Sequence, residues 1–372
     1  MTRETRETQK TRRAFTLTEL AAIVVVALVG AAAFVPAAGA GRRGAQAYGS
    51  EQNLREIWVA SAVYMWANDA LLPAYSWQAG VQYQVAGDSI PKSYSTQSQA
   101  QEAQNVDILR RLTGRDSGQD VIKHLSRTTV AHRRYSHLVV ADWMSWSANA
   151  PVFASPRHEN LLRWQGDPLD LSTVPYAHGV PSGGYETDPN WQKPGELQRW
   201  GYSSSYLWAP VSWLPDYAPT YGPVSSTPHL FVSTGSFDFP LGGRRLNEVR
   251  HPAHKVFVLE EFDWQAGTTD DRWPVDGVYF AYPEARCAKL MFDGSVNRWA
   301  SGRANPSWTP DNPQLNWKQR YVPLDQYPAW PYGDPNDVHS MSFYWTRYGL
   351  QGVDYPPVDT DPRANEPGRM DP

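Results

Sequence analysis

A single cysteine, Cys287, stands among 372 residues, so no disulfide can close within the chain and no cysteine cluster can hold zinc. An excess of either charge is lacking as well, since 34 Lys and Arg face 38 Asp and Glu for a net of -4. The cations are scattered rather than striped, which removes the electrostatic footprint of a nucleic-acid binder. No glycine-rich phosphate loop and no G-x-S-x-G nucleophile elbow occur, and Gly201-Tyr202-Ser203-Ser204-Ser205 reads as a polar loop. Acidic residues are spread without singling out the carboxylate pair of a glycosidase. Beyond the N-terminus the aliphatic content is modest, and 17 Trp, 20 Tyr and 31 Pro take its place. A body of loops and strands is therefore expected rather than a helical bundle, with the rings read first as core wedges and second as sugar-stacking platforms.

The N-terminus is different in kind. Residues 1–14 hold Arg3, Arg6, Lys10, Arg12 and Arg13 against Glu4 and Glu7, a net positive leader of the sort that stays cytoplasmic. From Leu20 to Val35 the chain is uncharged, and Phe15 to Ala38 is long enough as a helix to cross a hydrocarbon core of ~30 Å. Glu19 sits just inside this stretch, where a lone carboxylate costs on the order of 2–3 kcal/mol and so requires a partner.

Arg12-Arg13-Ala14-Phe15-Thr16-Leu17-Thr18-Glu19-Leu20 resembles the class III signal of type IV prepilins and type II secretion pseudopilins. The resemblance implies cleavage by a prepilin peptidase between Ala14 and Phe15 and methylation of the new Phe15 amine. Ala14 departs from the family's usual glycine but is also small. The resemblance gives Glu19 a role in subunit assembly, pairing with the Phe15 amine of a neighbouring subunit in an apolar filament core where an unpaired charge is costly. Pro36 matches the kink proline of many type IV pilins, and Gly39, Gly41, Gly44 and Gly49 after it weaken a helix further.

From Ser50, an N-cap candidate, apolar Leu54, Ile57, Trp58, Ala62, Met65 and Trp66 form a helical stripe, and Pro73 is expected to end the helix. The run from Gln52 to Pro73 resembles the post-membrane helix of the large pseudopilin-like families of planctomycete bacteria. Residues 77–105 read as an exposed loop, 106–125 as a short helix with a break at Gly114 to Gly118, and 150–250 as insertions around a small sheet. Strands are expected at 255–260, 277–281 and 286–292, followed by Asp293-Gly294 and a return from Ser295 to Trp299. An Asp-Gly pair between two strand runs suits a type I′ turn, with positive φ at both central residues. This hairpin, near 286–299, resembles that of the same families, whose signature is a His, nine intervening residues and then Asp-Gly; here the His position is Pro283.

The expected architecture is α+β and pilin-like: leader 1–14, transmembrane or filament-core helix 15–38, glycine-rich break and amphipathic helix 39–73, and extracytoplasmic domain 74–372 on a small antiparallel sheet. The resemblance implies a structural filament subunit and not an enzyme. It implies as partners other pilin-like subunits, the prepilin peptidase, an inner-membrane assembly platform and membrane lipid. It also implies a single insertion in the inner membrane with the N-terminus cytoplasmic, before passage into a periplasmic or extracellular filament. No cofactor is expected; Asp270, Asp271 and Asp276 read first as a solvated loop and second as oxygen ligands for calcium, with Asp293 read as a turn residue or a further ligand. His251 and His254 form an H-x-x-H pair without the helix that would aim both at one metal. An alternative reading stays open: Arg12-Arg13 also matches a twin-arginine export signal with an Ala38-Gly39-Ala40 cleavage site, giving a soluble carbohydrate-binding protein or hydrolase.

Overall fold

The computed structural model describes residues 17–114, 135–147, 149–166, 202–213, 224–225, 242–266, 277–280, 284–305, 320–321, 339–340 and 349–355, with the backbone alone over 17–40. The helices are α1 (Leu17–Ala67), α2 (Gln97–Thr113), α3 (Leu138–Trp143) and α4 (Glu159–Gly166). The strands are β1 (Gln82–Tyr83), β2 (Lys92–Ser93), β3 (Tyr206–Trp208), β4 (Val224–Ser225), β5 (Val256–Glu260), β6 (Phe262–Asp263), β7 (Val278–Tyr279), β8 (Lys289–Met291), β9 (Val296–Asn297), β10 (Arg320–Tyr321) and β11 (His339–Ser340). They form small, mostly antiparallel sheets, the largest in the order β3-β5-β8-β9. The chain divides into two units, Met1–Gln46 and Ala47–Pro372.

Helix α1 takes in Pro36, Gly39, Gly41, Gly44 and Gly49 without interruption in its assignment. Ser50, expected as an N-cap, lies inside the helix, which frees its hydroxyl for tertiary bonding. The helix ends at Ala67, ahead of Pro73. There Asp69 and Ala70 take positive φ of 52° and 62°, and the Ala70 N–H donates back to the Met65 carbonyl at 2.8 Å. The stretch expected as an exposed loop contains the β1–β2 hairpin and the start of α2. Thr96 caps α2 by accepting from the Gln99 N–H, and Gly114 closes it in the left-handed region. Polar Gln101, Gln104 and Asn105 are buried on this helix, which hid its period from a search for apolar residues. Gln104 accepts from the Ser76 and Trp77 N–H groups, and Asn105 accepts from the Tyr75 hydroxyl at 2.6 Å. Residues 115–125 of the expected short helix lie outside the described residues.

The four-stranded sheet separates two apolar clusters. On the α1 side, Leu54, Ile57, Ala60 and Met65 join Tyr206, Trp208, Phe257, Val258, Leu290 and Phe292. On the other side, Leu207, Val256, Leu259, Cys287 and Met291 join Phe262, Trp264, Phe280 and Tyr355. Strict alternation would send Phe257 and Val258 to opposite faces. A register shift between Val256 and Val258 against β8 places both on the α1 side, as a bulge does. Its further consequence is that Glu260, two residues after Val258, also faces α1.

The β8–β9 hairpin has a three-residue loop, Phe292-Asp293-Gly294, in place of the expected type I′ turn. The Met291 N–H donates to Ser295 at 2.8 Å and the Gly294 N–H to Met291 at 3.0 Å. Gly294 alone takes positive φ, at 87°. Asp293 instead accepts from the Ser295 N–H at 2.8 Å and from its hydroxyl at 2.6 Å, a side-chain turn that makes left-handed backbone at 293 unnecessary. The turn also lies against α1, since a Cβ on Gly294 would stand 2.4 Å from Trp58 Nε1. Gly294→Val thus combines a disfavoured φ with a collision and should cost about 2–5 kcal/mol. Asp293→Asn keeps the acceptor and should be nearly silent. Denaturant unfolding of the full chain in detergent checks both, and a Gly294→Val chain as stable as the parent would contradict this turn.

Candidate functional site

The second unit begins with a stretch of α1, Ala47–Asn53, that carries no buried apolar side chain. What holds it is polar. Ser50, fully buried, donates to Glu260 Oε1 at 2.8 Å, and Ser155 donates to the same oxygen at 2.7 Å. Ser50 has one proton and gives it to the carboxylate, so in its 3.0 Å contact with Tyr206 the tyrosine hydroxyl is the donor. Asn53 completes the relay, donating to the Tyr206 hydroxyl at 3.1 Å and to the Ala154 carbonyl at 2.9 Å. The chain Asn53 to Tyr206 to Ser50 to Glu260 ties helix to sheet through one continuous run of hydrogen bonds.

Arg298, just beyond β9, closes the network from the other side. Its guanidinium lies 3.5 Å from Glu260 Oε2 and 3.2 Å from Glu51 Oε1, and it donates to the Ala47 carbonyl at 3.3 Å. The Ala288 N–H also donates to Glu260 Oε2, at 3.3 Å. Burial pushes the Glu260 carboxyl above its ordinary range, against the opposing pull of Arg298, the two serine hydroxyls and the Ala288 N–H. Burial, aided by the Glu260 charge, raises the Tyr206 hydroxyl as well. Sequence reading missed this cluster. Its one visible signal was an acid closing the apolar run Val256-Phe257-Val258-Leu259, which the strand assignment absorbed without asking for a partner.

On the far side of the sheet, Lys289 is fully buried and donates to the carbonyls of Cys287 at 2.9 Å and Trp299 at 2.8 Å. Desolvation lowers its pKa to about 8, and burial raises the Cys287 thiol. Lys255 and Asp354, both buried, pair at 3.4 Å, and Asp354 also accepts from the Val256 N–H at 2.8 Å. These contacts secure the 349–355 segment and the second cluster.

The opposite face of α1 is exposed and carries apolar side chains beside the charged Arg55 and Glu56. Tyr48, Val59, Val63 and Trp66 are 60%, 59%, 44% and 87% exposed. At 3.6 residues per turn these four fall within about 60° of arc, centred opposite Ser50, Leu54, Ile57 and Met65. Of the seven large apolar side chains exposed among the described residues, four lie on this one stripe: Val59, Val63 and Trp66 are neighbours on it, and Tyr48 is set apart from them by Gln52, Arg55 and Glu56. Trp66, expected in the buried stripe, belongs to the exposed one.

Ala14, Phe15, Asp270, Asp271, Asp276 and Pro283 lie outside the described residues. Glu19 and Pro36 lie in α1 where only the backbone is described, as does the apolar run from Leu20 to Val35. Among the residues whose side chains are described, no helical stretch is long and apolar enough to cross a membrane. Among them also no three His, Cys, Asp or Glu side chains gather to hold a metal ion. Asp293 is occupied by its Ser295 turn. His251 precedes and His254 ends the 3-10 turn Pro252–His254, and desolvation and the nearby Arg250 lower His251. Comparison with protein-family models, curated proteins and solved structures gives no match for this chain.

The pH dependence of Glu260 has a definite sign. Its folded pKa is raised above the ordinary 4.5, so the folded state binds this proton more tightly than the unfolded state. The contribution is full below about 4.5 and lost as pH rises through the folded value. The stability of the parent relative to Glu260→Gln should therefore fall as pH rises from 4.5 upward. Lys289, lowered from 10.5 to about 8, has the opposite slope. Relative to Lys289→Met, the parent should gain stability as pH rises from 8 to 10.5, because the neutral amine is the form the core accepts. Denaturation midpoints across pH for each pair of proteins measure both slopes.

Proposed function

We propose that this chain is a non-enzymatic structural subunit of a filament of the type IV pilus or type II secretion pseudopilus kind. In this reading it is processed by a prepilin peptidase, and its body is a pilin-like one. The observation that carries the reading is the two-faced second half of α1. One stripe is fixed on the antiparallel sheet by Leu54, Ile57 and Met65, and the opposite stripe presents Tyr48, Val59, Val63 and Trp66 outward. A helix buried on one side by its own sheet and left apolar on the other suits a subunit whose helix is to be covered by other subunits. The leader, Phe15 and Glu19 give the same reading from the sequence, with Glu19 selecting register through a neighbour's terminal amine.

Assembly places the chain first in the inner membrane, with the leader cytoplasmic, and then in an envelope or extracellular filament. Its partners are like subunits, the peptidase, the assembly platform and lipid. No catalytic turnover is assigned, and no cofactor is required.

The decisive measurement is the N-terminus of the mature protein. A start at Phe15 carrying a methylated amine supports the filament reading, whereas a start at Gly41 supports export of a soluble protein. Glu19→Ala should leave membrane insertion intact, because insertion needs only apolar length, yet lower filament incorporation strongly. Val59→Asp and Trp66→Ala should leave the unfolding midpoint almost unchanged, since both side chains are exposed, while reducing crosslinked multimers in the membrane. Normal multimers from all three variants would refute the assignment.

A further inference from the structure

We infer that Ala47–Asn53 is a hinge: a stretch of α1 that opens on its own while the helix from Leu54 onward stays on the sheet. Two regimes of attachment meet at Leu54. From there to Met65 the helix is held by buried apolar side chains, Leu54, Ile57, Ala60 and Met65, whose exposure would require dismantling the core. From Ala47 to Asn53 the sequence is Ala-Tyr-Gly-Ser-Glu-Gln-Asn, and Ser50 is its only buried residue. Segments poor in buried apolar contacts are the ones that open below the global unfolding free energy.

The grip on this stretch is a clasp of directed polar contacts, each of which water can replace once the stretch lifts. Arg298 holds Ala47 and Glu51, Glu260 holds Ser50, and Asn53 reaches Tyr206 and the 154 carbonyl. Pro156 lies over Gly49, with 3.0 Å between its Cγ and the position a Cβ would take there, so the absent side chain lets the loop close tightly on the helix. Opening leaves Glu260 with Ser155, the Ala288 N–H and Arg298, so its charge is not stranded when Ser50 departs. Seven residues of helix amount to roughly 10 Å at 1.5 Å per residue, the length released when the clasp opens. The stretch begins where the division between the two units falls. Nothing in this hinge depends on the chain being a filament subunit.

Hydrogen–deuterium exchange of the full chain in detergent tests it. In the parent, peptides covering 47–53 should exchange at least about tenfold faster than those covering 57–65, β5 and β8. Arg298→Ala should speed exchange at 47–53 by about a further tenfold, as loss of a hydrogen-bonded ion pair implies, and leave β5 and β8 unchanged. Should Arg298→Ala unfold the chain by leaving Glu260 without its cation, Asn53→Ala decides. It removes two bonds from a half-buried side chain and leaves Glu260 untouched, and it should give the same local acceleration. Equal protection of 47–53 and 57–65 in the parent would overturn the hinge. So would acceleration of 47–53 and the sheet by the same factor in the variant that stays folded.

Discussion

Burying the Glu260 carboxylate is the constraint on which the rest of the α1 side depends. A carboxylate taken out of water without compensation costs several kcal/mol, so the residue is tolerated only where donors converge on both oxygens. They arrive from separate parts of the chain: Ser50 on α1, Ser155 before α4, the Ala288 backbone before β8, and Arg298 after β9. Each donor fixes the register of its own segment. A slide of α1 by one residue along the sheet would withdraw Ser50 from Glu260 and Asn53 from Tyr206 together. The apolar contacts of Leu54 and Ile57 lack that directionality, so the polar network sets the seating of the helix and the apolar stripe supplies the bulk of its adhesion.

That network exists because the sheet is irregular. The register shift at Val256/Val258 turns Phe257 and Val258 to the same side and brings Glu260 round toward the helix. Phe257 then meets Trp58 edge-on, with ring centroids 6.1 Å apart, and packs on Phe292 at 4.8 Å. Phe292 begins the hairpin loop that ends in Gly294, against which Trp58 rests. One bulge thus aligns three features that are distant in sequence: a helix tryptophan, a strand acid and a hairpin glycine.

Part of this was legible in the residues. The apolar runs at 255–260 and 286–292 marked β5 and β8, and Asp293-Gly294 marked the reversal between β8 and β9. Leu54, Ile57 and Met65 marked the buried stripe of α1. What was hidden follows from physics that a linear pattern does not carry. A bulge breaks the two-residue period without leaving a trace in composition, so the side toward which Glu260 points was not readable. Trp66 continues the four-residue series Leu54, Trp58, Ala62, but each such step drifts about 40° round the helix and carries it to the side of Tyr48 and Val59. Helix α2 was placed too late because its buried face is built from Gln101, Gln104 and Asn105, whose burial becomes favourable only after Ser76, Trp77 and Tyr75 supply partners. The turn type was misjudged because an aspartate can bond its own backbone and so relieve itself of positive φ.

The two faces of α1 raise a question of specificity, since a helix apolar on both sides could dock on its sheet the wrong way round. The arrangement of polar residues prevents it. Rotating the helix by half a turn would bring Tyr48, Val59, Val63 and Trp66 to the sheet but would aim Ser50 and Asn53 at solvent, leaving Glu260 and the Tyr206 hydroxyl buried without two of their partners. Two similarly apolar stripes differ little in burial, so the hydrogen bonds that Ser50 and Asn53 would lose, on the order of 1 kcal/mol each, weigh against the reversed docking. The polar contacts of Ser50, Asn53 and Arg298 therefore decide which apolar face is spent on the fold and which is left on the surface. That choice cannot be entrusted to hydrophobicity, which does not distinguish the two.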